Sequence, residues 1–334
     1  MRDARLLVRL LADPARVGEV ADWTSLLSVA RAESLIGSLA WRLERSPLPD
    51  KVAAILADAR RDSTYVRTQA LWEAEMARRA LAPLGVPVIL LKGTAYVAAD
   101  LPASAGRSIG DLDILVPRAA LDAVEGALLA AGWEWVKEDS YDDLYYRRWM
   151  HELPPLIHKE RDRMIDVHHT ILPLTARPRP DAAAMIADSV ALDSGLSILS
   201  PPDMIVHAAA HLFADGDLAG GLRNLWDIDR LLRAFAAGDP GFWPKLQARA
   251  AIHGLASPVA RAARLAGLLY ATPIPESWRV RDSADPLFKR RLLARDGWGR
   301  ATRPASRLGF YVRSHWLRMP PAMLARHLWT KARR

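Results

Sequence analysis

Cysteine is absent from the 334 residues. That excludes disulfides, thiolate zinc sites and cysteine redox chemistry, and fits a reducing compartment. Long apolar runs are missing too, so no membrane span is expected. The N-terminal "MRDARLLVRLLADPARVGEV" is broken by charges every few residues and lacks the apolar core of a signal peptide. A cytoplasmic location is the expectation. Acidic residues are scarce at the C-terminal end: residues 286–334 hold 13 Lys/Arg against Asp296 alone, in a chain of net charge +8. Everything before that segment is therefore net acidic, and the basic character belongs to the tail rather than to a nucleic-acid-binding body. The tail, "YVRSHWLRMPPAMLARHLWTKARR", reads first as a helix with its apolar side on the body and its arginines in water. Contact with an anionic partner (RNA, a membrane surface or an acidic protein) is the other reading.

The apolar content of 51% is ample for a core. Residues 1–80 carry apolar positions at three- and four-residue intervals and predict helices. "VPVILLKG" is a short apolar run of the kind a strand buried on both faces shows. "DLDILV" predicts a second strand, "PRAALDAVEGALLAAG" a helix ending at Gly132, and "WEWV" another strand. "LPPLIHKERDRMIDVHHTIL" predicts a hairpin with its turn at Lys159 to Arg163. From about residue 200 the helical period returns. The expected fold class is α+β, a small mixed sheet flanked by helical segments. The expected division is an N-terminal helical cap (1–82), an α/β core (83–175) and a C-terminal helical region with the basic tail (176–334).

In a strand, residues i and i+2 share a face, about 6.5–7 Å apart. Asp111 and Asp113 thus stand side by side, while Leu112, Ile114 and Val116 point into the core. Like charges so close repel unless a cation sits between them, and a hard divalent ion with oxygen ligands resolves the conflict. Asp166 repeats the pattern in "RMIDVHH", sharing a face with Met164 and His168. Three carboxylates on adjacent strands can hold a metal pair suited to in-line displacement at phosphorus. Upstream, Gly93 lets a phosphate approach the backbone, Thr94 adds a hydroxyl, and Lys92 and Arg107 are candidate phosphate-holding cations. His168, on the Asp166 face, is a candidate substrate contact. His207 and His211, four apart in "HAAAH", lack the glutamate of a zinc-protease motif and read as structural. Arg223 and Asp227 read as a helix-surface pair.

A glycine turn after a strand, D-x-D with apolar neighbours and a later aspartate resemble the polymerase-β-like nucleotidyltransferase superfamily. "VPVILLKGTAY", "GRSIGDLDILV", "ALLAAGWE" and "IDVHHTIL" resemble, in order, the blocks of bacterial nucleotidyltransferase family proteins with an LKG motif, over roughly residues 20–235. The resemblance implies Asp111, Asp113 and Asp166 as metal-binding catalytic carboxylates and Gly93 with Thr94 as the phosphate turn. It also implies Mg²⁺, with Mn²⁺ able to substitute, and an NTP such as ATP as co-substrate. The implied reaction moves an NMP to an acceptor hydroxyl or similar nucleophile and releases pyrophosphate. The acceptor is open among a small molecule, a peptide or protein, and RNA. The alternative is an inactive nucleotide-binding or partner-binding regulatory protein of the same fold. One departure is that 17 residues separate Gly93 from Asp111, more than is usual, and the turn is Gly-Thr where the superfamily has Gly-Gly or Gly-Ser.

Overall fold

The computed structural model describes residues 3–137, 139–214, 216–320 and 329. Most of the basic tail after residue 320, and with it the anion-contact reading of that stretch, lies outside the described residues.

The N-terminal part is helical: α1 (Arg5–Ala12), α2 (Trp23–Ala32), α3 (Ile36–Arg42) and the long α4 (Asp50–Leu81). Asp50 in the first turn of α4 and Arg78 and Arg79 in its last complement the helix dipole. Gly85, at φ +62°, ends the run in the left-handed conformation glycine adopts without penalty. The central part follows as β1 (Ile89–Leu90), α5 (Lys92–Ala98), β2 (Leu112–Leu115), α6 (Leu121–Ala130), β3 (Trp133–Trp135), α7 (Ser140–Trp149), β4 (Leu156–His158) and β5 (Met164–His168). After α8 (Ala182–Ala187), two short strands, β6 (Val190–Ala191) and β7 (Ser197–Ile198), return to the sheet. Helices α9 (Pro201–Ala214), α10 (Gly221–Gly238), α11 (Phe242–Ile252), α12 (Ala256–Tyr270), α13 (Asp285–Leu292) and α14 (Pro304–Arg318) follow.

The protein is α+β with a seven-stranded mixed sheet, ordered β3-β4-β5-β2-β1-β7-β6. β2 lies near the middle, parallel to β5 and antiparallel to β1. The hairpin expected around residues 159–163 is present as antiparallel β4 and β5. The sheet is wider than the sequence reading implied, because the β6–β7 hairpin of two-residue strands carries too few residues to show a period of two. One apolar cluster joins the parts, running from Leu7 and Leu39 through Ile114 and Val167 to Leu231 and Leu292.

α14 departs in part from the expected distribution of its side chains. Arg307 bonds Asp217, Arg313 donates to the Phe213 carbonyl and lies over the Phe288 ring, and Phe310 packs edge-on against the same ring. Leu308, Tyr311, Val312 and Trp316 are exposed, and so is most of the Arg307 side chain. Arg313 is drawn inward because the Phe213 carbonyl on the body needs a donor.

Candidate active site: a carboxylate cluster on two parallel strands

The parallel register of β2 and β5 sets Asp113 directly opposite Asp166. On the other face Leu112, Ile114, Ile165 and Val167 are buried, so period-two alternation gives each strand one acidic and one apolar side. Asp111 stands just before β2. One carboxylate oxygen from each of Asp111, Asp113 and Asp166 lies within 4.8 Å of the others. Asp113 is buried, whereas Asp111 and Asp166 retain contact with solvent.

Lys92 reaches this cluster. Its Nζ donates to Asp113 Oδ1 at 2.6 Å, and the Nε2 of His168 meets the same oxygen at 2.9 Å. Lys92 opens α5 with φ +48°, a left-handed backbone that costs a non-glycine residue on the order of 1 kcal/mol or more. Such strain persists where the surrounding structure enforces it, here at the entry to α5 beside the carboxylates.

The electrostatics divide the three acids. Burial alone would raise the Asp113 carboxyl, but Lys92 and His168 outweigh it and hold it well below the usual carboxylate range. Burial, the Asp113 charge and the Glu152 charge push Asp166 up to about 7. Burial and Asp113 raise Asp111 as well. Lys92 neutralises one carboxylate and leaves the other two short of positive charge, which fits the cluster to a divalent cation. A span of 4.8 Å or less suits one or two hexacoordinate ions with metal–oxygen distances of about 2.1 Å.

The sequence profile of a family described as uncharacterised nucleotidyltransferase matches residues 19–271. The chain belongs to this family. No curated protein matches it. The matched span takes in the whole carboxylate cluster and the helices packed around it.

Gly93 and Thr94 occupy the first turn of α5 rather than an open loop after a strand, and both are buried. A Cβ on Gly93 would lie 1.9 Å from Nη1 of Arg107. The glycine therefore makes room for that guanidinium, which packs under the turn, lies 5.3 Å from the Tyr96 ring centroid and donates from Nε to Asp227 Oδ2 at 2.9 Å. Arg223 and Asp227, expected on a helix surface, are both buried, and Asp227 joins Arg223 to Arg107. Four-residue spacing told of the pair but not of the third partner, 120 residues away in the chain. Gly93→Ala is expected to displace Arg107 and lower stability by about 1–3 kcal/mol, read as a fall in Tm. An unchanged Tm would show that the arginine yields freely.

Two walls flank the acids. Val66, Gln69, Ala70 and Glu73 of α4 line a narrow crevice with Asp111 and Met164. α4 also anchors the β4–β5 turn, since Glu73 accepts from Arg161 Nε at 2.8 Å and Gln69 pairs with Arg163. On another side His207 of α9 is buried, and its burial with the nearby Lys92 ammonium holds it neutral, well below the usual imidazole range. A cavity of about 640 Å³ lies elsewhere, beside α12 and α13, lined by Arg264, Leu268, Asp285 and Lys289. It contains none of the three carboxylates, so its size does not mark it as the chemical site.

Sequence reasoning missed His151 and Glu152. Glu152 Oε2 lies 3.4 Å from His168 Nδ1 and 3.5 Å from His151 Nε2. Both residues sit in the irregular segment before β4, where no periodicity assigns a face. Their adjacency in "MHELPP" was the only available signal.

Proposed function

We propose that the protein transfers an NMP from an NTP to an acceptor hydroxyl or similar nucleophile, with pyrophosphate leaving. The convergence of Asp111, Asp113 and Asp166 on one acidic face carries this reading, and family membership supports it. The three carboxylates would hold Mg²⁺, or Mn²⁺ in its place, which when bound would neutralise charge at the phosphates and favour in-line geometry. Asp166, opposite Asp113 on the neighbouring strand, would help bind the metal and orient or deprotonate the attacking hydroxyl. Lys92 keeps Asp113 ionised and oriented. The first turn of α5, Gly93 and Thr94, is assigned to the triphosphate, with Arg107 packed beneath Gly93 to fix that turn. His168 orients Asp113 beside the substrate. In this scheme residues 83–175 are the catalytic core, 1–82 a cap contributing the α4 wall, and 176–334 the region contributing α9.

One observation favours a second reading, an inactive nucleotide-binding or partner-binding protein. The Lys92 ammonium already sits on Asp113, and a fixed cation can stand in for a metal. Incubation with α-labelled NTPs, Mg²⁺ and cell extract separates the two. Label appearing on a small molecule, a peptide or protein, or RNA supports transfer and identifies the acceptor class. NTP binding without Mg²⁺-dependent label transfer supports the second reading.

A further inference from the structure

Next to Asp113, and sharing no residue with the three-aspartate cluster, lies a second group of ligand type: His151, Glu152 and His168. Its backbone is held firmly. Leu153 N donates to the Val167 carbonyl and His169 N to the His151 carbonyl, each at 2.9 Å, and Glu152 bridges to His168 alongside the end of β5. His168 is almost wholly buried, and the 2.9 Å contact with the ionised Asp113 requires a proton on Nε2. Its Nδ1, buried and without a hydrogen-bond partner among the described residues, faces Glu152 Oε2 at 3.4 Å. Among the described residues, Nδ1 of His151 has no hydrogen-bond partner either. A buried imidazole nitrogen and a carboxylate oxygen set apart by such a gap stand at the spacing of two ligands on one cation.

We propose that His151, Glu152 and His168 form a second metal site, distinct from the aspartate cluster, for a borderline divalent ion such as Zn²⁺. A tetrahedral ion with metal–nitrogen and metal–oxygen distances of about 2.0–2.1 Å sets neighbouring donor atoms about 3.4 Å apart. Glu152 Oε2 lies 3.4 Å from His168 Nδ1 and 3.5 Å from His151 Nε2. Two imidazoles and one carboxylate favour Zn²⁺ over Mg²⁺, which takes oxygen donors. The contact of His168 Nε2 with Asp113 supplies the outer hydrogen bond that commonly fixes the tautomer and orientation of a metal-bound histidine. Three protein donors leave a fourth position for water or a substrate atom. His168 would then join the two sites, binding the ion through one nitrogen and orienting an aspartate of the first cluster through the other.

The test uses full-length protein stripped of metal and given one equivalent of Zn²⁺ in excess Mg²⁺. Retained zinc is measured after gel filtration, and Co²⁺ substitution is followed by its visible absorption. Wild type is expected to retain Zn²⁺ and give the intense Co²⁺ bands of a tetrahedral site. Affinity should fall on the order of a hundredfold in His151→Ala, and also in Glu152→Gln, which keeps the side-chain shape. Asp111→Asn should retain the ion. Circular dichroism identifies a variant that fails to fold, in which case the other variant decides. Failure of wild type to retain Zn²⁺, retention by both His151→Ala and Glu152→Gln, or loss of binding in folded Asp111→Asn would each overturn the proposal.

Discussion

Asp111→Asn is expected to lower Mg²⁺-dependent turnover of NTP by about a thousandfold, equivalent to roughly 4 kcal/mol at the transition state. It should do so with little loss of stability, because the Asp111 carboxylate is burdened by burial and by the charge of Asp113 and removing its charge relieves that repulsion. Asp113→Asn should be equally inactive for a compound reason. It leaves Lys92 and His168 beside a neutral amide, and breaking a buried charged arrangement costs about 3–5 kcal/mol, so its Tm should fall well below that of Asp111→Asn. Pyrophosphate release and thermal unfolding measured on both variants separate loss of chemistry from loss of fold. Undiminished turnover in Asp111→Asn would remove the cluster from the mechanism.

Apparent Mg²⁺ affinity should weaken by up to about tenfold for each pH unit below about 7, because an ion must displace the proton from Asp166. Stability of the metal-free protein moves the opposite way. The Asp166 carboxyl stands at about 7 in the folded chain against an ordinary 3.8, so between those values the folded state binds more protons than the unfolded. Its contribution is fully present below about pH 4 and is lost as pH rises through about 7. The difference in Tm between wild type and Asp166→Asn in a chelator should therefore grow to the disadvantage of wild type across that window, and Mg²⁺ at pH 8 should shrink it. A difference that does not vary with pH would mean that Asp166 titrates like a solvated carboxylate. Calorimetric Mg²⁺ titrations at several pH values provide the companion measurement.

Much of this arrangement was legible in the residues because a strand's period of two is unforgiving. D-x-D in an apolar run, and the aspartate between Ile165 and Val167, already assign three carboxylates to polar faces. Pairing of β2 with β5 brings them together. What escaped notice depends on contacts that no local period encodes. Arg107 and Asp227 meet across 120 positions of chain, and Lys92 reaches Asp113 only because α5 begins one residue before Gly93. His151 and Glu152 lie in an irregular segment, where side-chain direction follows from tertiary hydrogen bonds to the β5 backbone. The inward-facing Arg313 of α14 was hidden for a related reason. Its partner is a carbonyl oxygen on the body, and helical spacing reports apolar faces but not distant acceptors.

The register of β2 against β5 also acts as an assembly check. A slip of one residue would bring Ile165 or Val167 to the acidic face and drive Asp166 into the apolar layer, so the error that dismantles the carboxylate cluster also breaks the core. A well-packed molecule with its acids out of register is therefore excluded. Specific activity in refolded preparations should follow the folded fraction in direct proportion, because correct packing and correct chemistry depend on the same strand pairing.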